Sequence, residues 1–323
     1  RDRASNEQNY PEAVITVEGG AVLRLDGIAV TCVGYTWNKI VRVDVCGTLI
    51  LYNGEISGNN FGDGVVNSGT FEMYGGKISN NNAQAGYGGG VYNSEYGTFS
   101  MSGGEIINNA GFGVYNTQVY TGMKWYSGLF SMSGGVIRNN VGGVQNSGIF
   151  SMSGGEISGN TAVFSGNWVS GNGGGVSNSG IFSMSGGKIS GNTAVNGGGV
   201  YNYRDGNFSL SKNGVISNNK ADVGGGVYNA GTFNRHDGII SDNTAEQYED
   251  IYSHNDVGEL PDGNGGSSNG NNGSSGVNGF SLRVVIICVS VIGIVGVPLF
   301  FISKKKKRDL HKNTDNIHLD HNM

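Results

Sequence analysis

Aromatic side chains crowd two short stretches of an otherwise small-residue chain. Thr117–Ser127 (TQVYTGMKWYS) holds Tyr120, Trp125 and Tyr126, and Val163–Asn172 (VFSGNWVSGN) holds Phe164 and Trp168. Rings carried on loops offer flat apolar faces with polar tips, a chemistry suited to gripping sugars or protein partners from a rigid base. The competing reading has both stretches folding back over the side of the body. Catalysis has thinner support. Breaking a polysaccharide by acid–base or Ca²⁺-assisted chemistry needs carboxylates gathered on one face beside a basic residue. Asp205, Asp222, Asp237 and Asp242 instead fall at differing repeat positions, and His236 is a substitution in the last copy, where an end-cap role is expected. Asn313-Thr314-Asp315 and His311, His318 and His321 lie in a basic C-terminal tail and are read as solvated. No catalytic residue, metal or cofactor is expected, and the enzyme reading is kept only as an alternative.

The elements that must position the aromatics come from internal repetition. Segments 143–162 (GVQNSGIFSMSGGEISGNTA) and 175–194 (GVSNSGIFSMSGGKISGNTA) differ at two positions of twenty. The frame recurs at 64–83, 90–110, 113–141, 199–221 and 226–245, with a degenerate copy starting near Val43. Each copy divides into three strand-like pieces rich in β-branched, aromatic and Met residues, punctuated by Gly, Asn and Ser. Three short strands per copy, in about eight copies, predict a parallel β-solenoid in which each copy is one coil. Coils stacked about 4.8 Å apart give a rod of roughly 40 Å.

Stacking places the same position above itself, so inward columns should be uniform. The Phe column reads Leu49, Phe71, Phe99, Phe130, Phe150, Phe182, Phe208, Phe233; Met or Leu follows two residues later, and Ile fills one position in all eight copies, from Ile56 to Ile240. Asn59, Asn81, Asn109, Asn140, Asn160, Asn192, Asn219 and Asn243 form one amide column, and Asn67, Asn93, Asn116, Asn146, Asn178, Asn202 and Asn229 a second. An amide both donates and accepts, so stacked Asn should form ladders at the coil corners; this is preferred over metal or sugar binding because the columns run the full length. Outside, the residue before each Ile reads Glu55, Lys77, Glu105, Val136, Glu156, Lys188, Val215, Ile239, which brings opposite signs together in three adjacent pairs.

Composition agrees with a rod of corners. Of 323 residues 60 are Gly and only 3 are Pro, which excludes collagen, while 37% hydrophobic content is enough to build a core. Residues 1–281 hold 13 Lys+Arg against 22 Asp+Glu, an acidic body unsuited to nucleic acid. Cys32 and Cys46 are expected either to pair in an oxidising compartment or to serve as small buried hydrophobes. Val284–Ile302 is 19 residues without charge, followed by Lys304–Arg308, so a transmembrane helix with a cytoplasmic C-terminus is expected. The expected order is N-terminal cap strands (1–42, with strands at Val14–Val17 and Ala21–Leu25), repeats (43–258), a Gly/Ser/Asn-rich linker (259–283), the span (284–302) and a basic tail (303–323). Because no export signal is visible after Arg1, a processed or truncated N-terminus is expected.

The motif GGGVYN…GTFSMSGGEISGNTA resembles the repeat of adhesin-like right-handed parallel β-helix surface proteins, and is similar to polymorphic outer-membrane protein repeats, over about residues 43–253. The resemblance implies an all-β, right-handed parallel β-helix at the cell surface. A single apolar run stands where the outer-membrane relatives carry a barrel, which implies a single-membrane envelope. The expected function is a single-pass, membrane-anchored adhesin-like or structural protein whose extracellular rod meets glycans or surface proteins. The alternative is a tethered extracellular polysaccharide lyase or hydrolase of the pectin-lyase-like class.

Overall fold

The computed structural model describes residues 13–32, 39–83, 88–162 and 171–253. Within them the chain is an all-β parallel solenoid of about nine turns. A representative turn runs Gly142–Asn146, Ile149–Met152 and Glu156–Ser158, each strand short because a corner follows within a few residues. Every strand then pairs in parallel with its counterpart one turn on. The first sheet has ten strands, from Ala13–Val17 to Ile251–Ser253; the second and third have nine each, ending at Thr232–His236 and Ile239–Ser241.

The N-terminal segment departs from the expected pair of cap strands. Ala13–Val17, Val22–Leu25 and Ile28–Thr31 make a full turn, with Leu23 over Leu49, Leu25 over Leu51 and Val30 over Ile56. Leu, Leu and Val replace Phe, Met and Ile there, so the motif vanishes while the period-2 burial survives. A second addition is a fourth sheet in the later turns, Thr161–Ala162, Thr193–Ala194, Lys220–Val223 and Thr244–Gln247. Ala162, Ala194 and Ala221 point inward from it and are buried.

The core is the set of columns. Val65, Phe150, Met184 and Ile189 are each completely buried, as are nearly all their stacked equivalents. Phe rings from Phe71 to Phe233 stack with centroids 4.6–4.8 Å apart and planes within 8°. The parallel ladder imposes this spacing, because strands themselves lie about 4.8 Å apart. Each buried Phe contributes roughly 1.5–3 kcal/mol of apolar transfer.

Both Asn columns are buried ladders. From Asn81 to Asn243, Nδ2 of each Asn donates to Oδ1 of the next at 2.9–3.1 Å and also to the Ile carbonyl of the preceding turn. The same Oδ1 accepts the backbone N–H of the Asn before it, as in Asn140 to Asn160 at 3.0 Å. The second column is tighter, with 2.8 Å at every step from Asn67 to Asn229. Terminal donors are satisfied too: Asn243 donates to Asp250 and Asn229 to Ser253. The residue before each member of the first column, from Gly58 to Asp242, has φ between 54° and 84°, the left-handed region that Gly, Asn and Asp adopt at least cost.

One glycine column is required by close approach. A Cβ on Gly175 would lie 2.5 Å from the Gly199 carbonyl oxygen, 2.6 Å from Ile189 Cγ2 and 3.0 Å from Asn192 Nδ2. The glycine lets the first sheet begin directly against the amide corner.

Cys32 and Cys46 are not fully buried small hydrophobes. Cys46 is exposed at a corner with φ 67°, and Cys32 is half-buried against the core. Among the described residues no helix is long and apolar enough to cross a membrane; the linker, the 284–302 run and the basic tail lie outside those residues.

Candidate functional site

Three outer faces follow from the inward columns, because alternate residues of each strand point away from the core. The second sheet presents Ser131, Ser151 and Ser183, the third the Glu and Lys positions, and the first two short stacks of tyrosines separated by Gln145 and Ser177. Against this regular exterior one element projects among the described residues.

The 117–127 insertion forms an antiparallel hairpin, Gln118–Tyr120 paired with Trp125–Ser127, between two strands of adjacent sheets. Its four-residue connection is closed by the Thr121 N–H donating to the Lys124 carbonyl at 3.1 Å, with Gly122 at φ 87°. The alternation of strand residues then splits the aromatics. Tyr120 and Trp125 sit opposite each other, 52% and 58% exposed, with ring centroids 5.0 Å apart and planes tilted by 39°. On the other side Tyr126 is half-buried, 5.3 Å from Tyr96 of the preceding turn, with the Lys124 ammonium 5.1 Å over its ring. The hairpin therefore turns one face to the body and the other to solvent. Tyr126 anchors it to the body, while Tyr120 and Trp125 face solvent beside Met123, which is almost fully exposed. Phe164 and Trp168 lie outside the described residues.

Sequence reasoning passed over the tyrosine column. Tyr92 stacks on Tyr115, and Tyr201 on Tyr228, which meets Tyr252 at 4.6 Å. The signal was present, since the third residue of the GVYN piece alternates outward and is Tyr at 92, 115, 201 and 228. These rings stack on one another along the rod, so they present phenol edges rather than faces. Burial first, then the neighbouring phenols, pushes Tyr201 and Tyr228 above the ordinary tyrosine range. Tyr74 is pushed the same way by its hydrogen bond to Glu72. A stacked phenol offers little area to a sugar ring; Trp125 offers much more.

The acidic groups do not converge. Asp205, Asp222, Asp237 and Asp242 are exposed on separate stretches, and Asp237 and Asp242 occupy corners with φ 59° and 57°. His236 is exposed at the end of the last strand of the second sheet, beside Arg235, whose Nε donates to the Gly238 carbonyl. Among the described residues no group of three or more His, Cys, Asp or Glu side chains could hold a metal ion. A hollow lined by Asn53, Glu55 and Lys77 is open to solvent.

No protein-family model, curated protein or solved structure matches this chain. The parallel β-solenoid rests on strand register and ladders, and such a scaffold fits a structural or adhesin-like role.

Proposed function

We propose that this protein is an adhesin-like surface scaffold that holds the 117–127 hairpin outward as its binding element. Exposure of Tyr120 and Trp125 carries the reading: two large rings face solvent on a hairpin anchored to a ladder-stabilised body. Large exposed aromatics on a rigid base are what sugar and protein recognition uses, because little order is lost on binding. In this reading the 284–302 run spans the membrane, the body lies outside the cell and the basic tail lies in the cytoplasm.

The test is a glycan-array and matrix-protein binding screen of the full chain, wild type against Trp125→Ala and Tyr120→Ala. Binding that weakens at least about tenfold in the variants, at unchanged melting temperature, supports the reading. Equal binding by all three proteins, or none by the wild type, overturns it. Shortening of a bound polysaccharide during the screen would favour a tethered lyase or hydrolase instead.

A further inference from the structure

Almost every Asn with a structural job belongs to a buried ladder or a corner, and Asn207 belongs to neither. It opens the strand Asn207–Ser211, in the outward position held by Ile181 one turn before and Thr232 one turn after. Its backbone is fully engaged, the N–H donating to Gly180 at 2.8 Å and the carbonyl accepting from Asn178. The side chain is exposed, and its amide makes no hydrogen bond among the described residues. The ladder amides, by contrast, are spent on their neighbours and closed to any reagent.

Asn207 is also followed by Phe208 and Ser209, which makes Asn-x-Ser with no proline. This is the only Asn-x-Ser/Thr among the described residues, although the chain is rich in all three residue types. In the ladder columns Ser or Thr follows Asn directly, as in Asn178-Ser179 and Asn192-Thr193, which is the wrong spacing. Residues two apart on a strand share a face, so Asn207 and Ser209 both look outward while Phe208 fills the core.

We propose that Asn207 is an N-glycosylation site. The chemistry that fits is transfer from a lipid-linked oligosaccharide pyrophosphate by a membrane oligosaccharyltransferase. The Asn207 Nδ2 forms a bond to sugar C1, the C1–oxygen bond to the pyrophosphate breaks, and Nδ2 gives up a proton as the lipid pyrophosphate leaves. A sugar there would stand on the second sheet's outer face without touching the core. The inference rests on the proposed outward orientation of the body, because the donor and enzyme act on the outer side of the membrane.

Trypsin cuts after Arg204 and Lys212, releasing Asp205–Lys212, a peptide in which Asn207 is the sole Asn. Mass spectrometry of this peptide, from full chain isolated from the cells that make it, should show it chiefly with added sugar. Ser209→Ala should abolish the addition and Ser209→Thr should keep it, while Asn207→Gln serves as the blank. An unmodified peptide overturns the proposal. Protease treatment of intact cells separates the causes: a digested body with an unmodified peptide sinks glycosylation alone, and a protected body sinks the orientation as well.

Discussion

Two stacks of polar side chains run along this solenoid at the same turn-to-turn spacing, and they behave differently. In the buried Asn59–Asn243 column every step from Asn81 onward closes at 2.9–3.1 Å, with backbone groups joining in. In the exposed column ahead of the Ile positions, Lys77 lies 4.0 Å from Glu55, while Glu105 turns to Arg138 at 3.2 Å and Glu156 accepts from Ser190. Arg138 belongs to the neighbouring outward column, so the charges settle by local convenience rather than strict stacking. The difference is solvent. A buried amide without its partner costs about 1–3 kcal/mol, whereas an exposed ion pair is worth about 0–1 kcal/mol and water replaces it readily. Uniformity in the sequence therefore tracks what burial forbids, and drift tracks what water forgives.

That contrast sets an order of effects. Phe150→Ala opens a gap between Phe130 and Phe182 and should lower unfolding free energy by about 3–5 kcal/mol in denaturant titration. A cost below about 1 kcal/mol would mean the ring stack relaxes freely. Asn160→Ala comes next. It removes the acceptor of the Asn140 N–H, one of the two acceptors of the Asn140 amide and a donor to the Ile137 carbonyl, so roughly 3 kcal/mol is expected by the same assay.

A smaller effect should come from Asp63, which accepts the Gly89 N–H at 2.8 Å. Burial raises its pKa, against the lowering influence of that bond and of Lys39. The folded chain then keeps a proton that the unfolded chain has released. Its contribution is fully present below the ordinary carboxylate range and lost as pH climbs through the raised value. Asp63→Asn should flatten that part of the stability–pH curve; an unchanged curve would contradict the assignment. Least of all, the double-mutant cycle of Glu55→Ala and Lys77→Ala should give a coupling under about 1 kcal/mol.

Much of this was readable beforehand because stacking turns register into spelling. The Phe, Ile and Asn columns and the left-handed residue before each ladder Asn all appear as aligned letters. Three things were not. The first turn uses Leu23, Leu25 and Val30, which take the Phe, Met and Ile positions, with Leu25 and Val30 buried and Leu23 partly so, yet break the motif. The fourth sheet is built on Thr-Ala pairs too short to show a period. The hairpin was visible only as an interruption; its division into an anchoring and an exposed face follows from the pairing of Tyr120 with Trp125, which spacing alone does not give.

Amide hydrogen exchange, resolved residue by residue on the full chain, tests the contrast most directly. The backbone N–H groups of Asn109, Asn140, Asn160 and Asn192, each donating to a buried Asn oxygen, should exchange among the slowest, and those of Gln118–Ser127 among the fastest. Ladder amides exchanging as fast as the hairpin would contradict a body held together by buried columns.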